Sequence, residues 1–185
     1  MTFGALDQLD TAVLYFIQEH IRSGWMDGFW TGVTSLANGG WFWILTAAVL
    51  LLWGRTRRAG LTAAVSMLLG FLITNLLLKN LVARPRPFDL YPVIQPLVER
   101  PHDFSFPSGH TCVSFAASLV YLRMLPRPWG AASVVLAAVI ALSRLYVGVH
   151  YPSDVLGGFL VGCLVSWAAV RLAERRKTGQ IVRDQ

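Results

Sequence analysis

Long stretches without a single Asp, Glu, Lys or Arg constrain this chain more than any other feature. Gly28 to Gly54, Ala59 to Leu78 and Phe104 to Leu122 contain none of the four. Pro128 to Val149 is interrupted only by Arg144, and Val155 to Val170 is again free of them. A helix crossing a bilayer needs about 20 mostly apolar residues. The runs therefore predict five spans, at roughly 40–54, 59–80, 110–125, 129–148 and 154–173. Composition agrees: 55% of the 185 residues are hydrophobic and only 14% are charged, against roughly 25% charged in a soluble domain. An ordinary soluble domain and a disordered chain are both excluded.

The segment before Asn38 is amphipathic. Leu6, Leu9, Val13, Phe16 and Ile17 share one helical face, with Asp7, Asp10, Glu19 and Arg22 around it. It reads as a tilted sixth span, with a helix lying in the membrane interface as the alternative. Asp7 and Asp10 stand where a signal peptide would be basic, so no cleaved leader is expected. The whole chain, 1–185, reads as one domain without repeat or linker. Cys112 and Cys163 lie in apolar runs, form no CxxC pair, and read as small buried hydrophobes.

Basic residues orient the bundle. Arg55, Arg57 and Arg58 fill one short loop, Arg123 and Arg127 another, and Arg171, Arg175, Arg176 and Lys177 follow the last span. With five alternating spans all three groups fall on one side, which the positive-inside rule makes cytoplasmic, together with the C-terminus. The net charge of +6 is thus topological, and no nucleic-acid partner is implied. The opposite, outer side receives the 81–108 segment and the turn near His150, with Trp41 and Trp43 in its aromatic belt. The interval 84–105 holds Pro85, Pro87, Pro92, Pro96 and Pro101 and reads as an irregular loop.

Three clusters on that outer side carry more chemistry than anchoring needs. In the first, Lys79, Arg84 and Arg86 have no carboxylate near them before Asp89. Three such cations repel one another unless an anion sits between them, and Arg and Lys suit a phosphate. In the second, Phe106-Pro107-Ser108-Gly109-His110-Thr111 opens an apolar helix, whose free N–H groups make an anion site. Ser108 adds a hydroxyl, Gly109 lets a ligand approach the backbone, and His110 carries a titratable proton. In the third, Ser143-Arg144 precedes His150 and Asp154. Asp154, four residues beyond His150, can fix the imidazole tautomer and leave the other nitrogen nucleophilic. Arg144 within an apolar span requires an anionic partner, either Asp154 or a bound phosphate.

Together these groups form an inventory for phosphoryl transfer through a phosphohistidine. His150 would attack phosphorus and His110 would protonate the leaving oxygen. Lys79, Arg86, Arg144, Ser108 and the Gly109 N–H would hold the remaining phosphate oxygens. A catalytic metal fits less well: only His102/Asp103 and His150/Asp154 offer ligand pairs, and cations crowd the site. No cofactor is implied.

Those residues resemble the signature of the type 2 phosphatidic acid phosphatase (PAP2) superfamily: K-x6-RP, PSGH and SR-x5-H-x3-D. Here they read Lys79 to Arg86-Pro87, Pro107-Ser108-Gly109-His110, and Ser143-Arg144 to His150 and Asp154. Arg84-Pro85 imitates the end of the first part, but only Arg86 gives the six-residue gap, which leaves Arg84 an auxiliary. The resemblance implies a helical membrane fold of six spans and metal-independent hydrolysis of a phosphate ester on the outer face. It also implies His150 as nucleophile, His110 as acid and base, and Asp154 as orienting carboxylate. The substrate would be a membrane lipid phosphate. Undecaprenyl diphosphate comes first, with phosphatidylglycerol phosphate or phosphatidic acid as the near alternative. A lipid-phosphate binding or translocating protein without catalysis is the reading from another class. No obligate protein partner is inferred.

Overall fold

A computed structural model describes residues 5–183, and every regular element among them is helical. Helix α1 (Ala5–Phe16) runs on as a π turn (Ile17–Ile21). It is followed by α2 (Gly24–Ser35), a 3-10 turn (Asn38–Gly40) and α3 (Trp41–Leu51). Helix α4 (Arg57–Phe71) continues through a π stretch (Leu72–Leu78) into α5 (Lys79–Val82), after which comes the single turn α6 (Pro87–Leu90). Three helices complete the chain: α7 (Gly109–Met124), α8 (Arg127–Tyr146) and α9 (Pro152–Arg183).

Three stretches are each long and apolar enough to cross a membrane: Arg57–Leu90, Arg127–Tyr146 and Pro152–Arg175. A fourth forms if α2 and α3, bent by 45° at their junction, count as one broken span. Gly39 and Gly40 make that bend, with φ of 57° and 72°, a region that residues with a Cβ rarely occupy. Residues 5–37 are not one continuous helix. Arg22 and Ser23 take extended backbone, which splits the segment into α1 and α2, and α2 joins α3 instead.

Helix α7 is the hub, packing against α8, α9, α4 and α3. Its 16 residues give about 24 Å at 1.5 Å per residue, and nearly every side chain from Cys112 to Tyr121 is buried. Packing inside lipid favours small residues and interhelical hydrogen bonds, each worth roughly 0.6–2 kcal/mol. Both occur here. A Cβ on Gly162 of α9 would lie 2.8 Å from the Phe115 Cβ, so the two backbones meet only because Gly162 has none. Ser66 Oγ of α4 donates to the Ala116 carbonyl at 2.8 Å, and Trp43 Nε1 donates to Ser114 Oγ at 2.9 Å. Trp43 is thus a core residue, 1% exposed, and not the interfacial anchor its neighbourhood predicts. A buried indole needs an acceptor, and Ser114 supplies it. Trp41 does stay exposed, as do Ile44, Leu45, Leu68, Leu76, Leu77, Leu160, Leu164 and Trp167, leaving a leucine-rich outer surface around a Ser- and Ala-rich interior.

The basic loops gather at one end of the bundle. Arg58 hydrogen-bonds the Ala173 carbonyl, and Arg123 pairs with Glu174 at 3.4 Å. The α3–α4 loop, the α7–α8 loop and the last turns of α9 therefore share an end. The three motif clusters meet at the other. Cys112 is buried and Cys163 half-buried, both as free thiols.

Candidate active site

The π stretch Leu72–Leu78 leads α4 into Lys79, which is buried. Helix then stops: Ala83 turns left-handed at φ 47°, and the Arg-Pro pairs force extended backbone. Arg84 and Arg86 consequently leave the helix and turn inward, 6% and 2% exposed. Gly109 and His110 open α7, Arg144 lies in the last turn of α8, and His150 ends the α8–α9 turn. Lys79, Arg86, Gly109, His110, Arg144 and His150 all line one cavity of about 610 Å³, with Asn75 and Asp103. Its remaining wall is apolar and runs between α3, α4 and α7, through Ile44, Ala47, Leu51, Met67, Leu68 and Val113. Along α3 that wall runs from Ile44 to Leu51, roughly 10 Å at 1.5 Å per residue.

His150 is 1% exposed and lies between an anion and a cation. Nδ1 is 3.4 Å from Asp154 Oδ2, and Nε2 is 3.4 Å from Arg86 NH1. With its proton at Nδ1, toward the carboxylate, Nε2 keeps a lone pair. Burial, then the charges of Arg86, Arg144 and Lys79, push the imidazole well below its ordinary range, so it is neutral at neutral pH. His110 Nε2 lies 2.9 Å from Asn38 Oδ1, an oxygen that can only accept, so that nitrogen holds a proton.

Asp154 is wholly buried and tightly bound. Oδ2 accepts from Ser105 Oγ at 2.5 Å and from the Tyr151 N–H at 2.9 Å, and Oδ1 accepts from Arg84 NH1 at 2.8 Å. Arg84 in turn reaches Asp10 at 2.7 Å and Asp7 at 2.8 Å, and covers the Tyr151 ring at 3.9 Å. Asp10 accepts from the Ser153 N–H at 3.0 Å and bonds the Ser153 hydroxyl. The arginine set aside as an auxiliary thus joins α1 to the back of Asp154.

Arg144 does not pair with Asp154. It is 3% exposed, NH1 donates to Thr34 Oγ1 at 2.6 Å, and Nε has no hydrogen-bond partner among the described residues. Ser108 lies behind the cavity wall and not on it: fully buried, it caps α7, its Oγ accepting from the Thr111 N–H at 3.4 Å and hydroxyl at 3.0 Å. Gly109 beside it faces Asn75, whose Oδ1 would lie 3.0 Å from a Cβ there.

The cations of the first cluster already hold an anion. Asp103 Oδ2 bonds Lys79 Nζ, Oδ1 accepts from Arg86 NH2 at 2.5 Å, and its carbonyl accepts from Arg86 Nε at 2.8 Å. Burial opposes ionisation of Asp103, but the bond and charge of Lys79, then those of Arg86, outweigh it and bring the carboxyl to about 2. Asp103, Ser105, Asn38, Asn75 and Thr34 were not among the predicted site residues. The short spacing of Asp103 and Ser105 from Pro107-Ser108 was the available signal for two of them.

Fold and site together define a helical membrane bundle with a histidine- and arginine-lined cavity at one end. The chain belongs to the PAP2 superfamily, whose model matches residues 59–178. It is 32% identical over 130 residues to an undecaprenyl-diphosphatase of Sulfolobus acidocaldarius, covering 70% of this chain and 63% of that one. It is 42% identical over 113 residues to a decaprenylphosphoryl-5-phosphoribose phosphatase of Mycobacterium tuberculosis, covering 60% and 59%. This chain therefore spans about three fifths of either relative's length. A crystal structure of a transmembrane PAP2-type phosphatidylglycerolphosphate phosphatase from Bacillus subtilis superposes with a TM-score of 0.76 at 28% identity, covering 93% of this chain and 88% of that one.

Proposed function

We propose that this protein is a membrane phosphatase that removes a terminal phosphate from a lipid through a phosphohistidine, with undecaprenyl diphosphate as its first candidate substrate. The observation that carries the reading is Arg144, a buried cation that has no carboxylate partner, and at Nε no hydrogen-bond partner, among the described residues, on the same cavity as His150 and His110. A cation so placed is costly unless it serves an anion.

In the proposed reaction His150 Nε2 attacks phosphorus and the bond to the lipid oxygen breaks. His110, as the imidazolium that a bound phosphate favours, gives its proton to that oxygen and becomes neutral, and Asp154 stabilises the imidazolium formed at His150. Water then attacks the phosphohistidine, with His110 taking a proton from it, and inorganic phosphate leaves. Lys79, Arg86, Arg144 and the Gly109 N–H stabilise the charge on the transferring group. Ser108 contributes by capping α7 and thereby aiming that N–H. The cavity's apolar wall suits hydrocarbon, and the two relatives compared above are named for polyprenyl-linked substrates. The glycerolipid alternative rests on the Bacillus subtilis structure's name. The basic loops at the far end favour an extracytoplasmic site with the C-terminus in the cytoplasm.

The test is phosphate release by the detergent-purified chain, with EDTA present. Undecaprenyl diphosphate, phosphatidylglycerol phosphate and phosphatidic acid are compared by kcat/KM. Release is expected to survive EDTA and to fall by at least about three orders of magnitude in His150→Ala. Full activity in that variant, or loss in EDTA restored by a divalent ion, overturns the mechanism. Binding of all three lipids without release points to the non-catalytic reading.

A further inference from the structure

Asp103 presents its carboxylate to the same N–H groups that the proposed function reserves for phosphate. One oxygen is on Lys79 Nζ and the other on Arg86 NH2 at 2.5 Å. Its carbonyl on Arg86 Nε, 2.8 Å away, anchors the residue beside them. The side chain is nevertheless 53% exposed and belongs to the loop between α6 and α7, so no packing locks the carboxylate in place. It lines the cavity with His110, Arg144 and His150. Any anion that reaches Lys79 and Arg86 must therefore take them from Asp103.

That exchange depends on charge. Asp103 carries a single negative charge and is tethered, and a tether of this kind acts as a local concentration on the order of millimolar. A phosphodiester also carries one charge and gains nothing over Asp103 by replacing it. A terminal phosphate carries about 1.5 to 2 negative charges at neutral pH and wins the exchange. The cavity opens along apolar helix faces in a membrane, where phosphodiester lipids abound as rivals. We infer that Asp103 is a specificity residue, a resident anion that keeps phosphodiester headgroups off Lys79 and Arg86 and yields only to a terminal phosphate. The inference rests on the phosphatase reading of the same site.

Its test uses the full chain in mixed micelles. Inhibition constants are measured for inorganic phosphate and for phosphatidylglycerol, a phosphodiester, against the lipid substrate found best. Asp103→Asn should strengthen inhibition by phosphatidylglycerol about tenfold and inhibition by inorganic phosphate less, narrowing the gap between them. Asp103→Glu, which keeps the charge, should stay close to wild type. Asp103→Ser carries the same expectation as Asn and serves if Asn fails to fold. A residue that only holds the loop would, when replaced, weaken both inhibitors. An unchanged or weaker phosphatidylglycerol constant in both neutral variants overturns the inference. If wild type is insensitive to inorganic phosphate, or His150→Ala stays active, the phosphatase reading itself has failed.

Discussion

Arg144 shows most directly how single residues divide stability from activity. Its guanidinium is buried on Thr34 with Nε unpaired, an arrangement that burdens the fold. Arg144→Met, of similar reach and apolar, should raise the melting temperature in detergent by a few degrees while lowering kcat/KM by about 100- to 1000-fold. A lowered melting temperature would show that Arg144 is structural. His150 makes a second prediction at this scale. Burial and three cations depress its pKa from 6.5, so as pH falls through 6.5 the proposed nucleophile stays unprotonated. The acidic limb of kcat/KM, which reports the free enzyme, should therefore lie below 6.5. Lys79→Gln removes one repelling charge and should move that limb upward. A wild-type limb at or above 6.5 would contradict the geometry.

At the scale of elements, α1 is bound to the site although none of its residues reaches the cavity. Asp10 and Asp7 hold Arg84, and Arg84 holds Asp154. Arg84→Gln should lower kcat on the order of ten- to a hundredfold, the range for groups that orient a catalytic partner. KM should change little, because Arg84 does not line the large cavity. Arg84→Lys should recover part of the loss. Equal effects on kcat and KM, without rescue, would mean that Arg84 acts on the fold as a whole. What the sequence revealed follows from the same division. The pairs Lys79/Arg86, Gly109/His110 and His150/Asp154 were legible because each lies within one turn or break of the chain. Asp10, Asn38 and Asp103 were not, because only tertiary packing brings them in. The expectation that no carboxylate stood near Lys79 held along the chain but failed in space, where the next loop delivers Asp103.

For the molecule as a whole, hydropathy disclosed the bundle more reliably than its entry segment. Charge-free runs marked α7 and α8, and the starts of α4 and α9, to within a few residues, since lipid allows little else. They could not disclose the break at Arg22–Ser23, where α1 parts from α2, because an amphipathic pattern fits one tilted span or two short helices equally well. Nor could they separate Trp43 from Trp41: identical residues two positions apart face the core and the surface, and it is tertiary contact with Ser114 and Tyr121 on α7 that takes Trp43 inward.

The knot of contacts at Arg84 also bears on when the protein becomes active. Asp10 and Ser153, which it unites, are 143 residues apart in the chain. During synthesis the first partner leaves the ribosome long before the second, and every helix between them must be inserted in the interval. His150 cannot acquire its fully held Asp154 until α9 has entered the membrane and met α1. On the proposed mechanism, the site of the nascent protein is therefore incomplete until α9 has been placed beside α1.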